Sequence, residues 1–157
     1  MTKISFDLDG VITDAEKWFF STLDALRRTH NGEHIQEIEL MYYATRQVRY
    51  NPYQFMSSSD IGYIITARKP IARQITEGWL LQHSIHLEVV YVDSNNDIDW
   101  ENYEEASYES GIRKTQVLGS KGITVHFDNN PFIVKKMRDR MPSATIIQVG
   151  AEPLLRR

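Results

Sequence analysis

Five short apolar runs, each closing on a polar residue, constrain the possible fold more than any other feature of this chain. They are "KISFDLD" near the start, "GYIITAR" from Gly62, "LEVVYVD" from Leu87, "ITVHFDN" from Ile123 and "ATIIQVG" from Ala144. The first puts Ile4, Phe6 and Leu8 on one side and meets Gly10 at once, which predicts a strand ending near Asp7. The others are nearly continuous in Ile and Val, as in strands covered on both faces of a parallel sheet. Helical patterns lie between them. "PIARQITEGWLLQHS" sets Ile71, Ile75, Trp79 and Leu80 on one stripe behind Pro70, and "PFIVKKMRDRM" does the same with Phe132, Val134, Met137 and Met141. Strands alternating with helices predict an α/β fold, with ligands beyond the carboxyl ends of its strands.

Two segments break this rhythm. Ala15 to Asp60 is far longer than an ordinary crossover, and "EKWFFSTLDALRRT" and "HIQEIELMYYATRQV" within it read as helices. The expected organisation is a core of residues 1–14 and 61–157 with a small helical cap, residues 15–60, inserted after the first strand. The second segment, Asp93–Ser110, holds seven acids and no base, and reads as a solvated loop with a short helix. Its acids over 93–109 lack the Gly and terminal Glu of a calcium loop.

A length of 157 residues fits one domain with a small insert. The net charge of −3 argues against broad, nonspecific nucleic-acid binding, which needs a basic face. With no cysteine there is no disulfide framework, which fits a reducing compartment, and a cytoplasmic location is expected. The start of the chain lacks a signal-peptide pattern, and no apolar run is long enough to span a bilayer, so no membrane role is expected.

The chemistry gathers at the strand ends. Asp7 and Asp9 end the first strand, Thr66 the second, and Asp128 and Asn129 the fourth, while Lys114 opens a short helical stretch before the fourth. A parallel sheet points all of these ends to one edge. Carboxylates brought together raise one another's pKa, and a hard cation relieves them; Mg2+ takes a few oxygen ligands together with water and phosphate. A carboxylate beside it is then a candidate nucleophile, with Lys and Thr holding the phosphoryl oxygens. The plainer reading of Asp7 and Asp9 is an Asx turn or helix cap after a strand, which the echoes at the other strand ends disfavour. Asp14 reads best as a helix cap, Arg68 as either a solvent-facing charge or a substrate contact, and His126 as a packed or edge residue. Trp18, Phe19, Tyr42 and Tyr43 read as cap core, with base stacking the sharper option.

"DLDGVITD", "ITAR" and "K…HFDNN" resemble, in order, the successive motifs of the haloacid dehalogenase-like (HAD) superfamily of phosphohydrolases. Asp7, Asp9 and Gly10 match its first motif completely, Thr66 its second, Lys114 its third, and Asp128 with Asn129 partly match its acidic pair. "ITARKPIARQITEGWLLQHSI" and "FDNNPFIVKKM" further resemble 5′(3′)-deoxyribonucleotidases and the 3′-phosphatase domain of phage-type polynucleotide kinases. The resemblance implies a Rossmann-like core and a Mg2+-dependent phosphatase. Asp7 would be the nucleophile and Asp9 the general acid and base. The metal would be held by the Asp7 side chain, the Asp9 backbone carbonyl and Asp128, with Asn129 acting through waters. Thr66 and Lys114 would bind the phosphoryl group. Two departures stand out. Lys114 is only about two helical turns from the fourth strand, short for the family, which makes Lys121 a rival. Asn129 also removes a charge from the acidic pair.

The expected substrate is a nucleotide monophosphate. A 3′-phosphorylated nucleic-acid end, a sugar phosphate and a non-catalytic HAD-like binding module are the alternatives. A response-regulator receiver also phosphorylates an Asp, but that Asp sits on its third strand, and Asp93 lacks the surrounding pattern. The sequence does not specify an oligomeric state.

Overall fold

In the computed structural model, which describes residues 1–15, 19–29 and 32–150, the apolar runs form five strands. They are β1 (Lys3–Phe6), β2 (Ile61–Thr66), β3 (Glu88–Tyr91), β4 (Val125–Asp128) and β5 (Thr145–Gln148). Every pairing is parallel, and the order is β3-β2-β1-β4-β5. The helices are α1 (Phe19–Thr29), α2 (Gly32–Ala44), α3 (Arg73–Gln82), α4 (Tyr103–Lys121) and α5 (Pro131–Arg140). The architecture is α/β and Rossmann-like. Its strand order reverses between β1 and β4, and a crevice opens at the carboxyl ends of strands at such a switch point.

Each strand feeds two apolar layers, because successive side chains point to opposite faces. Ile4 and Phe6 of β1 and Ile64 of β2 pack with Trp79, Leu80 and Ile85 on the α3 side. Ile65 and Ile146 pack with Leu118, Ile133, Val134 and Met137 on the side of α4 and α5. Ser5 and His126 face this second layer as buried polar groups. Of the predicted α3 stripe, Trp79 and Leu80 are buried, while Ile71 in the preceding 3-10 turn is exposed. Between β1 and β2, α1 and α2 pack on each other and α2 packs on α3, with Trp79 Nε1 donating to the Arg46 carbonyl at 2.9 Å.

The acidic segment differs from its prediction. Asp93 is fully buried and accepts from the Asp97 and Ile98 amides and from Lys69 Nζ. Ile98 and Trp100 enter the core, and the Trp100 amide donates to Asp24 on α1. A tied-down loop therefore replaces the solvated one. Its end starts one 19-residue helix, α4, which also absorbs the short stretch expected around Lys114. The interior glycines of α4 obscure its helical pattern. Gly111 is there for close approach: a Cβ at this position would lie 3.0 Å from Lys136 Cβ on α5.

Candidate active site

β1 delivers Asp7 to the switch point, and the chain then turns tightly. The Leu8 carbonyl accepts from the Ile12 and Thr13 amides, and Gly10 has φ +88°, where a side chain is strained. Any Cβ on Gly10 would also strike the Asn129 side chain, 2.0 Å away, so Asn129 is packed over the turn. Residues 47–50 brace the same loop: the Arg49 and Tyr50 amides donate to the Ile12 and Val11 carbonyls. Arg49 reaches inward, donating to the carbonyls of Gly10 and Gly150. Asp14 accepts from the Gln47 amide and faces Arg46. Any capping of the predicted helix start falls on residues 16–18, outside the described residues, as does Trp18.

Three of the predicted site residues are in direct contact. Lys114 Nζ lies 3.0 Å from Asp7 Oδ1 and 2.8 Å from Asp128 Oδ2, and both Lys114 and Asp128 are fully buried. Helix side chains lean toward the helix N-terminus, which lets Lys114 climb from mid-α4 to the carboxyl edge of the sheet. Lys121 lies at the other edge, where it pairs with Glu88 and its carbonyl accepts from Lys3. Lys114 is about two turns from the end of α4, so the short spacing stands, but it is Lys114 and not its rival Lys121 that reaches the carboxylates.

Electrostatics separate the two carboxylates. Burial and the nearby Asp128 push Asp7 well above the usual carboxylate range, against the pull of Lys114. Burial also opposes the Asp128 charge, but Lys114 and a hydrogen bond from His126 outweigh it and hold Asp128 down at about 2. Burial lowers the pKa of His126.

Asp9 turns away from this cluster. Its carboxylate is gripped by Arg68, with Nε 2.9 Å from Oδ2 and Nη2 2.7 Å from Oδ1, while Thr13 Oγ1 lies 3.3 Å from Oδ1. Arg68 is neither a solvent-facing charge nor, in this state, open to a ligand, because it is buried at 2% exposure. Its Nη1 donates to Thr76, and its guanidinium lies 3.8 Å over the ring of Tyr43 from α2. Tyr43 in turn donates to Glu39. Thr66 is buried at the end of β2, where its oxygen accepts from the Arg68 amide, leaving its hydroxyl hydrogen for another acceptor.

His126 and Tyr43 are buried, as read from the sequence, but their links to the site, and the part of Asn130, were missed. His126 is fully buried against Asp128, Tyr43 supports Arg68, and Asn130 caps α5 while donating to Tyr103 and Ser107 of α4. The alternation of "VHFD" puts His126 and Asp128 on one face, which is the signal that could have found the first.

The donor set bears on a metal. Among the described residues no group of three or more His, Cys, Asp or Glu side chains is arranged to hold an ion. Asp7 and Asp128 form a pair, which suits Mg2+ because this ion commonly takes one or two carboxylates and keeps water and phosphate for the rest. The raised pKa of Asp7 is the penalty that such a cation would relieve.

No protein-family model matches the sequence, and no curated protein does. Solved structures do match in fold. A chain in "Structure of the Pnkp1/Rnl/Hen1 RNA repair complex" aligns with TM-score 0.61 at 14% identity, covering 94% of this chain. A chain in "Structure of Pnkp1/Rnl/Hen1 complex" aligns with TM-score 0.58 at 16% identity, covering 95%. This chain spans only 42% and 45% of their lengths. At these identities the match shows the α/β fold. Among the described residues no helix is long and apolar enough to cross a membrane.

Proposed function

We propose that the chain is a Mg2+-dependent phosphomonoester hydrolase of the HAD type, working through an aspartyl phosphate. The observation that carries this reading is the buried Asp7–Lys114–Asp128 cluster at the carboxyl edge of a parallel sheet, at its switch point. Asp7 attacks phosphorus, its P–O bond forming as the ester P–O bond breaks. Lys114 and the free hydrogen of Thr66 hold the phosphoryl oxygens. Asp9 protonates the leaving oxygen, then takes a proton from the water that hydrolyses the acyl phosphate, releasing inorganic phosphate. Because both Asp9 oxygens accept from Arg68, Asp9 must give up one of these bonds to act as a proton donor. Mg2+ would be held by Asp7, Asp128 and the Asp9 carbonyl, with Asn129 behind its waters, and would neutralise phosphoryl charge.

The substrate is a nucleotide monophosphate. A cleft of about 450 Å3 between α1 and the loop around Asp97 lies beside the site, and none of Asp7, Asp9, Thr66, Lys114 or Asp128 lines it. Its cations Arg27, Arg28 and Lys69 are paired with Asp24, Glu39, Asp99, Glu101 and Asp93, which makes it a poor track for a polymer backbone. A second reading, a phosphorylated nucleic-acid end, is favoured by the fold neighbours, one of which is described as part of an RNA repair complex. The test is phosphate release, with Mg2+ or EDTA, over nucleotides, sugar phosphates and 3′- and 5′-phosphorylated oligonucleotides. Release from free nucleotides supports the first reading, release from oligonucleotides alone supports the second, and no Mg2+-dependent release from any of them overturns both.

A further inference from the structure

We infer that His126 is a positioning residue for Asp128, fixing that carboxylate in its metal-binding orientation; this rests on the phosphohydrolase reading above. His126 stands on β4 directly opposite Ser5 of β1, and it is fully buried. Two residues on, Asp128 shares its face of the strand. The imidazole is used at both nitrogens: Nδ1 lies 2.7 Å from Ser5 Oγ and Nε2 lies 3.0 Å from Asp128 Oδ2. Asp128 is acceptor-only when ionised, so Nε2 carries the hydrogen and donates. Nδ1 of the neutral ring then accepts from the Ser5 hydroxyl. The other acceptor near Ser5, the Val125 carbonyl, is 3.5 Å away and too long to compete. Ser5 thus selects the tautomer that Asp128 needs.

Asp128 has two further donors. The Asn130 amide lies 3.1 Å from Oδ1, and Lys114 lies 2.8 Å from Oδ2. Lys114 is shared with Asp7 and is the group that turns to the phosphoryl oxygens. His126 has no second task, so it holds Oδ2 while Lys114 is engaged elsewhere. Partners of this kind, behind a ligand, fix its direction and raise metal affinity about 10- to 100-fold.

Two substitutions isolate the bond. Asn at 126 keeps a polar group near Ser5 but is too short for Asp128, whereas Gln places an amide nitrogen where Nε2 was. Mn2+ binding is read by the electron paramagnetic resonance of the free ion, with Mg2+ competition, on folded protein without substrate. His126→Asn is expected to weaken Mn2+ binding at least about 10-fold, with His126→Gln within about threefold of the parent. Asn equal to the parent, or Gln as weak as Asn, overturns the role of His126 while leaving the phosphatase reading intact. A parent chain that binds no Mn2+, or Asp128→Asn binding as well as the parent, overturns the metal reading and this inference with it. If His126→Asn does not fold, Ser5→Ala decides. It leaves His126 in place but frees the tautomer, so about threefold weaker binding is expected, and unchanged binding overturns the inference.

Discussion

Asp7 and Asp128 sit within reach of one lysine, yet the fold treats their charges in opposite ways. Asp7 has a folded-state pKa above its unfolded value near 3.8, because burial and Asp128 oppose its charge. Its contribution to stability is therefore fully present below that value and is lost as pH rises through the raised pKa. Asp7→Asn removes a penalised charge. It is expected to raise Tm, by more at pH 8 than at pH 5, while cutting Mg2+-dependent phosphate release by several orders of magnitude. Calorimetry at the two pH values and a turnover assay check both halves; unchanged turnover would remove Asp7 as nucleophile. Asp128 is held down at about 2, so its contribution is present above the unfolded value near 3.8 and is lost as pH falls toward 2. Asp128→Asn should accordingly lower Tm at pH 7, and the difference from the parent should shrink on acidification. A gain in Tm for both variants would mean that Lys114 does not discriminate between the two carboxylates.

α4 shows where the sequence could be read and where it could not. The sheet was legible because five Ile- and Val-rich runs ended in polar residues, and the first motif was legible because Asp7, Asp9 and Gly10 are contiguous. The nineteen-residue α4 was not. Gly111 and Gly119 lower its helical signal, and its acidic lead-in masks Ile98 and Trp100, which enter the core. The Arg68 grip on Asp9 was equally hidden, since it depends on β2 ending beside β1 and not on sequence spacing. The helix makes its own prediction. Lys114→Ala should lose at least about a hundredfold in rate, the scale of a transition-state charge contact, and should lower Tm because Asp7 and Asp128 then face each other without a buried cation. Lys121→Ala, which removes a pair with Glu88 and a contact with the Tyr63 ring at the far edge, should change the rate little. Reversed effects, read from initial rates and melting curves of both variants, would place the phosphoryl lysine at Lys121.

Across the whole molecule, the helices between β1 and β2 are joined to the chemistry through Tyr43. Asp9 is gripped by Arg68, Arg68 lies under the ring of Tyr43, and Tyr43 donates to Glu39, itself paired with Arg27. The aromatics of this region therefore act on the core as well as on any ligand. Tyr42, a candidate for base stacking, stacks on Phe19 at 3.5 Å and lies under Arg46. Loss of the Tyr43 ring would free Arg68 to leave its place, and Asp9 would lose the partner that sets its orientation. Proton delivery matters most when the leaving oxygen is basic, and general acid catalysis is commonly worth about 10²- to 10⁴-fold. Tyr43→Leu is thus expected to slow hydrolysis of an alkyl phosphate, such as a nucleotide, at least about tenfold, while an activated aryl phosphate slows far less. Tyr43→Phe keeps the ring over Arg68 and loses the bond to Glu39, so it should stay near the parent on both esters. Steady-state kinetics of the three proteins on the two esters make the comparison. If Tyr43→Leu slowed both esters equally, the ring would be supporting the fold and not Asp9. If it raised KM for the nucleotide alone at unchanged kcat, Tyr43 would instead be touching the substrate.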